Sequence, residues 1–269
     1  MNATKIALTM SWHPNLLHHQ RLAPGITISP LYTESLKSFI KSKLKIFPSR
    51  RSGLQCVLLA LTNAVGHMHK FNLGHFDIKP DNVLIKFIIR GNFNNVDIVL
   101  ADFGLSNKLI NGAYHGHWRG TPHFVCPELN AIKDKQEGGI ILQAEKIDVF
   151  AMGKTMMEMV SQLNKRNDWE RNFSFLITEM THPIADRRIT VNETKRRLQT
   201  LNQPADKFDF LPMSKRAHHL IEMAIEKHER RTPTPTLTST PTATPTRTPT
   251  PTATPSRTPS REASWVIFF

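Results

Sequence analysis

Apolar residues recur at helical spacing in several stretches of the chain. The clearest is 52–70, where one predicted helix face carries Leu54, Val57, Leu58, Leu61, Val65 and Met68. A stripe of this kind is typical of a helix packed on a hydrophobic core. Residues 145–163 are almost entirely apolar, which predicts a buried helix. Further helices are predicted after Thr33, around 173–177, at 191–201 and at 213–229.

Two β-rich runs, 83–87 and 96–100, flank a turn-forming polar segment. This combination predicts a β-hairpin, and the near-alternating apolar residues of 25–33 predict another short strand. In such a hairpin Asn82 comes just before the first strand and Asp102 just after the second. Because the end of one strand lies beside the start of its partner, we expect these two side chains at one end of the hairpin.

The composition changes abruptly after Thr232 to threonine, proline, alanine, serine and arginine. Two decapeptides, PTATPTRTPT at 241–250 and PTATPSRTPS at 251–260, are nearly identical. Dense proline removes backbone hydrogen-bond donors, so this tail is expected to be disordered or locally polyproline II. The final residues, WVIFF, are apolar, and they either dock on the domain or have no meaning.

The net charge of +13 and the pI of about 10.0 are compatible with acidic partners such as nucleic acid or anionic lipid. The sequence has no run of five basic residues and no nucleic-acid recognition motif, so a basic solvated surface is the preferred interpretation. We therefore expect no specific nucleic-acid partner. No stretch approaches the roughly 18 apolar residues of a membrane span, and no convincing secretory signal is present.

The two cysteines, Cys56 and Cys126, lie far apart and in unlike contexts. This argues against a disulfide framework or a zinc site. A reducing compartment, cytoplasmic or nuclear, is therefore expected.

Several short motifs follow one another in order. Residues 75–85, HFDIKPDNVLI, bring an acid, a lysine and an amide ahead of the first hairpin strand. The later motifs are Asp102-Phe103-Gly104, Gly120-Thr121-Pro122, Pro127-Glu128 and an Asp-x-Phe-x-x-Gly run that begins at Asp148. Each motif alone occurs by chance, but the ordered set resembles the catalytic half of the eukaryotic protein kinase family.

This resemblance implies an α+β fold. A protein-kinase-like large lobe, mainly α-helical with a small β-hairpin, would stand beside a truncated small lobe and a disordered tail. The small-lobe remnant and hinge would be residues 1–33, the large lobe 34–230 and the Thr/Pro-rich low-complexity tail 231–269. The implied activity is that of a serine/threonine protein kinase, which transfers the γ-phosphate of ATP to Ser/Thr hydroxyls of a protein substrate.

By the same resemblance, three residues would serve catalysis. Asp77 would orient the incoming hydroxyl and accept its proton. Lys79 would balance charge on the transferred phosphate as a point cation. Thr121 would bond the catalytic aspartate, as a threonine does in serine/threonine-specific kinases, which favours that specificity.

The resemblance also implies ATP and Mg²⁺ as cofactors. Asn82 and Asp102 would hold the metal through hard oxygen ligands. Leu84 would pack under the adenine ring, and Lys79 would contact the nucleotide phosphate.

One departure from the family concerns regulation. Phe76 replaces the arginine that normally pairs with a phosphorylated residue of the activation segment. Between Gly104 and Gly120 the only hydroxyl side chains are Ser106 and Tyr114. We therefore expect a segment that does not switch by phosphorylation.

Two architectural contacts are expected as well. Asp148 would bond the backbone of the 75–77 loop, and Glu128 would pair with a buried arginine. Arg188 is the preferred candidate for that arginine, because a helix-forming segment follows it. Arg231 is a competitor, because residues 214–225 resemble the helix that precedes this arginine in kinases.

The other departure lies at the front of the sequence. The eleven residues before Trp12 contain one lysine, no glycine and no glutamate. The family's Gly-rich loop and strand Lys–helix Glu pair are therefore expected to be absent, which leaves a catalytically weak or dead pseudokinase or scaffold as the alternative function. In that case the Thr-Pro tail would be bound by other kinases or phospho-readers, although repeat expansion without function is the simpler explanation.

Overall fold

The computed structural model of the protein describes residues 12–23, 26–42, 50–90, 93–133, 140–162, 167–201 and 265–268. Six α-helices lie within these ranges. They are α1 (Leu36–Ser42), α2 (Arg50–Lys70), α3 (Pro127–Asn130), α4 (Ala144–Ser161), α5 (Asp168–Met180) and α6 (Val191–Thr200). Two 3₁₀ turns, Pro80–Asn82 and Ala185–Arg187, add to this helical framework.

The described strands are short and form four small antiparallel sheets. They are β1 (Gln20–Ala23), β2 (Ile26–Pro30), β3 (Glu34–Ser35), β4 (Leu73–Gly74), β5 (Val83–Arg90), β6 (Phe93–Leu100), β7 (Asn107–Lys108), β8 (Ala113–Gly116), β9 (Ile140–Gln143) and β10 (Trp265–Phe268). The orders are β1-β2-β10, β3-β5-β6, β4-β7 and β8-β9. The mixed content confirms the predicted α+β fold, mainly helical with a small hairpin.

Helix α2 is the central element of the core. All six apolar residues of its predicted stripe are at most 1% exposed. They pack in one cluster with apolar residues of the β5–β6 hairpin, α4 and α5. Burial of each such side chain contributes about 1.5–3 kcal/mol, so this stripe is a major source of stability for the hairpin beside it.

Helix α4 is buried over most of its length, as its apolar composition predicts. Gly153 is needed there because a Cβ atom at this position would come within 2.6 Å of Thr181. This close approach lets α5 pack directly on α4. Six residues, 162–167, separate the end of α4 from the start of α5.

The final strand joins the sheet near the start of the domain. Strand β10 pairs antiparallel with β2, and its register places Trp265 opposite Pro30 and Phe268 opposite Thr27. The backbone of the apolar end of the chain therefore docks on the domain, which is one of the two predicted alternatives. The other tail residues and the helix predicted at 213–229 lie outside the described residues, and the proposed boundaries at 34 and 231 stay predictions.

Both cysteines are buried and free, and burial raises the pKa of each thiol to about 12. None of the helices in the described ranges has the length and apolarity needed to cross a membrane.

Candidate active site

The loop between β4 and β5 is held by a buried carboxylate on α4. Asp148 is fully buried, and it accepts hydrogen bonds from the backbone N–H groups of His75 at 3.0 Å and Phe76 at 2.8 Å. Its Oδ2 also contacts Nε2 of His69 at 2.8 Å. Burial by itself would raise the pKa of Asp148, but the contact with His69 and the backbone donors hold it below its ordinary value. The loop anchor expected of Asp148 is therefore present.

His75 connects this loop with the segment that carries Asp102. Burial lowers the pKa of His75, so its ring is neutral near pH 7. The backbone N–H of Asp77 donates to Nδ1 at 3.3 Å, which assigns the remaining ring proton to Nε2. That Nε2 donates to the Ala101 carbonyl at 3.1 Å. The position of Asp77 is therefore linked to the residue directly before Asp102.

Asp77, Lys79 and Thr121 form a closed triangle of side chains. Lys79 Nζ donates to Asp77 Oδ2 at 2.7 Å and to Thr121 Oγ1 at 2.8 Å. The Thr121 hydroxyl donates to Asp77 Oδ1 at 2.7 Å. The structure thus brings Thr121 to Lys79 and Asp77, which lie 42 and 44 positions before it in the sequence. Consequently Lys79 from the same loop engages one carboxylate oxygen, and Thr121 from a distant part of the chain engages the other.

These donors decide the charge of Asp77. Burial by itself would raise its pKa, but hydrogen bonds from Lys79, Thr121 and Asn82 lower it below the ordinary value for aspartate. The carboxylate is therefore ionised throughout the neutral range. An ionised, buried carboxylate with fixed geometry can orient a hydroxyl group that approaches it.

Asn82 and Asp102 lie at the same end of the hairpin, as predicted. Val83 pairs with Leu100, and the Ala101 N–H donates to the Asn82 carbonyl at 2.8 Å. The amide nitrogen of Asn82 donates to the Asp77 carbonyl at 2.8 Å and to Asp77 Oδ2 at 3.1 Å. The amide oxygen is therefore the Asn82 atom left to face a cation.

Asp102 has the left-handed backbone angle φ of 62° and an exposed side chain. Its Oδ1 accepts a hydrogen bond from the Gly104 N–H at 3.1 Å, which fixes the direction of the carboxylate. One amide oxygen and one carboxylate are a hard-oxygen donor set that fits Mg²⁺. Within the described ranges no group of three or more His, Cys, Asp or Glu side chains is arranged for a metal ion.

Leu84 lies on the outer part of the hairpin rather than in the main core. It is partly buried and packs with a small apolar cluster that contains Leu17, Val99, Ala101 and Tyr32. Tyr32 belongs to the connection between β2 and β3, and its hydroxyl donates to Asp97 Oδ2 at 2.9 Å. Leu84 therefore offers an apolar surface next to that connection.

The segment between Gly104 and Gly120 packs on the 75–77 loop through aromatic rings. Phe76 adopts a φ of 66°, and its ring lies 4.5 Å from that of Tyr114, which is fully buried. The Arg119 guanidinium lies 4.9 Å from the Tyr114 ring and 5.7 Å from the Phe76 ring, and cation–π attraction favours this arrangement. Ser106 is also buried. Neither hydroxyl side chain between Gly104 and Gly120 is thus at the surface.

Arg188 pairs with Glu128, and the competing candidate Arg231 lies outside the described residues. The Arg188 side chain is fully buried, and its Nη1 and Nη2 donate to the two Glu128 oxygens at 2.7 and 3.1 Å. Burial opposes ionisation of Glu128, but this bidentate pairing lowers its pKa. The pair ties the segment after Thr121 to the loop before α6.

Sequence reasoning missed three residues near the site. His69 was not distinguished from other polar histidines, because nothing local signals its contact with Asp148. Tyr114 was considered only as a hydroxyl side chain, and Arg119 was not singled out. An arginine five residues after a tyrosine is too common to signal a stacked cluster.

Comparisons with known proteins agree with this geometry. The family model of the protein kinase domain matches residues 27–240, well over half of the chain. A putative serine/threonine-protein kinase of Acanthamoeba polyphaga mimivirus is 33% identical over 116 residues, which cover 41% of this chain and 34% of that protein.

Two further relatives are similar over shorter or more divergent stretches. The probable serine/threonine-protein kinase fhkE of Dictyostelium discoideum is 31% identical over 101 residues, 37% of this chain and 13% of that protein. Death-associated protein kinase 2 of Homo sapiens is 26% identical over 149 residues, 51% of this chain and 38% of that protein. The chain therefore spans well under half the length of these relatives.

Proposed function

Because the chain belongs to the protein kinase family, we propose that it transfers the γ-phosphate of ATP to serine and threonine hydroxyls of protein substrates. The observation that carries this proposal is the triangle of Asp77, Lys79 and Thr121, since each member has the partner that the reaction needs. The relatives whose names include serine/threonine kinase favour the same hydroxyl specificity.

In this mechanism Asp77 acts on the incoming hydroxyl. Its ionised carboxylate would accept a hydrogen bond from the substrate O–H and turn the oxygen towards the γ-phosphate. It would take the proton as the bond from this oxygen to phosphorus forms and the bond from that phosphorus to ADP breaks. The lowered pKa makes Asp77 a weak base, so orientation is the larger part of its contribution. Lys79 stabilises negative charge beside it, and Thr121 keeps the carboxylate in one orientation.

Mg²⁺ fits the donor set that Asn82 and Asp102 provide. The Asn82 amide oxygen and the Asp102 carboxylate would hold the metal, which when bound neutralises charge on the nucleotide phosphates. Leu84 would support the adenine ring from the hairpin side. The cytoplasm or nucleus remains the expected location.

A phosphate-transfer assay tests the proposal. Purified full chain is incubated with Mg²⁺, γ-labelled ATP and a mixture of Ser/Thr peptides, beside the variants Asp77→Asn and Asp102→Asn. We expect measurable transfer that each variant lowers by at least about a hundredfold, because each removes a charge that acts on the reacting groups.

Asp81→Asn is the matched control. Asp81 belongs to the same loop, but its side chain is exposed and pairs with Lys37 at 2.9 Å. Transfer by this variant should stay within about twofold of the unchanged chain, since exposed ion pairs contribute little. Transfer that survives in Asp77→Asn would contradict the assigned role.

A kinase-like scaffold without turnover is the second candidate. Residues 1–33 contain a single glycine, Gly25, and so provide no Gly-rich loop over the phosphates. A thermal-shift titration with Mg-ATP separates the two functions. The kinase should gain thermal stability with increasing Mg-ATP, whereas a scaffold without a nucleotide site should show no shift.

A further inference from the structure

A cleft separate from the candidate active site opens between α2, α4, α6 and the turn that contains His13. Its volume is about 620 Å³, and its lining includes His13, His67, His69, Lys70, Glu145 and Lys195. None of Asp77, Lys79, Asn82 or Asp102 lines it. A cleft of several hundred Å³ has the size of a small-molecule site.

The charge in this cleft is positive. Lys195 Nζ donates to the neutral amide oxygen of Asn63 at 2.8 Å. Neither Lys70 nor Lys195 has a carboxylate within ion-pair distance among the residues that the structure describes. Among the described residues of the lining the one carboxylate is Glu145, which accepts the backbone N–H of Val191 at 2.8 Å. Two lysines therefore face a single acid that already has a donor.

The pKa of His13 is consistent with this positive charge. Burial first, and then the neighbouring His67 ring and the ammonium groups of Lys195 and Lys70, lower the pKa of His13 to about 4. The rings of His13 and His67 lie 4.6 Å apart. A neutral imidazole still offers one N–H donor, so the cleft combines ammonium charges with hydrogen-bond donors. This is the chemistry that recognises phosphate groups.

We propose that this cleft binds a phosphate monoester, with the phosphate group near His13, Lys70 and Lys195. The volume exceeds what a bare phosphate ion needs, so the ligand carries an organic part that fills the remainder. This binding is independent of the proposed phosphate transfer, because the two sites share none of these residues.

The cleft is also next to the anchor of the catalytic loop. His69 lies in the lining, and its Nε2 contacts the Asp148 carboxylate that holds the backbone of His75 and Phe76. A ligand in the cleft would therefore be separated from that loop by two side chains.

Calorimetric titration of the full chain with O-phosphoserine tests the proposal, with unphosphorylated serine as the ligand control. We expect phosphoserine to bind and serine not to bind. Lys70→Ala and Lys195→Ala should each weaken phosphoserine binding about tenfold, since each removes one charge-assisted contact. Absence of phosphoserine binding, or binding that neither variant weakens, would overturn the proposal.

Two lysine variants outside the cleft are the matched controls. Lys154→Ala removes an equal charge from α4, and Lys79→Ala removes the lysine of the candidate active site. Phosphoserine binding should be unchanged in both. Loss of binding in Lys79→Ala alone would place the phosphate in the active site and refute the second site.

A second readout is the His13 ring, followed by NMR as the pH is varied. A bound phosphate should raise the pKa of His13 by about one unit or more, because a nearby negative charge favours the imidazolium form. An unchanged pKa would contradict the placement of the ligand. Comparing phosphoserine with a phosphoserine peptide then separates two possible ligands. If the natural ligand is a phosphoprotein, the peptide should bind more tightly than free phosphoserine. If it is a small metabolite, the peptide should bind no more tightly.

Discussion

At Asp77, burial and hydrogen bonding act on the carboxyl group in opposite directions. Burial favours the neutral acid, while donors from Lys79, Thr121 and Asn82 favour the carboxylate, and the donors prevail. The same balance holds at Asp148, where the donors include two backbone N–H groups. Charged groups in this site are thus kept ionised by fixed donors rather than by exposure to water.

Thr121→Val isolates one of these donors. The change removes the 2.7 Å hydrogen bond to Asp77 Oδ1 while it keeps the shape of the side chain. Because that bond favours the ionised carboxylate, its loss should raise the pKa of Asp77. The acid limb of the pH–rate profile for phosphate transfer should therefore move to higher pH, and the rate at neutral pH should fall about tenfold.

Thr178→Val serves as the comparison, since Thr178 lies on the exposed face of α5 and its hydroxyl donates to the Ser174 carbonyl. It should leave both the acid limb and the rate unchanged. A pH profile that is identical in Thr121→Val and the unchanged chain would show that this hydroxyl does not hold Asp77.

Among the elements, α4 does more than fill the core. Asp148 on its first turns anchors the 75–77 loop, and the backbone carbonyl of Lys146 accepts a hydrogen bond from Arg188 Nη1 at 2.6 Å. Arg188 in turn holds Glu128 at the start of α3 and stacks on Phe150. The start of α3, helix α4 and the loop before α6 therefore meet at the buried guanidinium of Arg188.

Arg188→Ala should strongly destabilise the protein. It leaves the half-buried Glu128 carboxylate without its bidentate partner, and removal of one member of a buried ion pair costs about 3–5 kcal/mol. The free energy of unfolding, measured by urea titration, should fall by that amount. Arg187→Ala is the matched control, because the neighbouring arginine is exposed and should change the value by less than about 0.5 kcal/mol. Equal effects of the two substitutions would refute this account.

For the whole molecule, acid should be destabilising from just below neutral pH. The folded chain holds His13 and His75 with lowered pKa values, so the unfolded chain binds these protons first as the pH falls. Each proton bound only by the unfolded chain lowers the free energy of unfolding by about 1.4 kcal/mol per pH unit. Asp148 and Glu128 add to this at lower pH, because their folded-state pKa values are also lowered.

Urea titrations between pH 7 and pH 4 should therefore show a steady fall in the free energy of unfolding. For His13 the window runs from its ordinary pKa of 6.5 down to about 4. The variant His13→Gln should show a shallower fall in this window, whereas substitution of the exposed His115 by glutamine should not change the slope. A free energy that is constant between pH 6.5 and pH 4 would contradict the prediction.

Local patterns were sufficient for the elements whose partners are near in sequence. The stripe of residues 52–70 became α2 with its apolar face buried, and the two β-rich runs became the paired strands β5 and β6. The pairing of β8 with β9 was not predicted. Its two strands are short and lie more than 20 residues apart, so no local periodicity signals their pairing.

Sequence alone was enough to identify the family and to bring Asn82 and Asp102 to one end of the hairpin, because ordered motifs and strand pairing depend on residue order. For the partner of Glu128 the sequence favoured Arg188 but left Arg231 open, since both lie beside predicted helices. Only the packing of α4, α5 and α6 decided it, by burying Arg188 against Glu128. The positive cleft beside α2 likewise exists only in three dimensions, because its lining comes from residues 13 to 195.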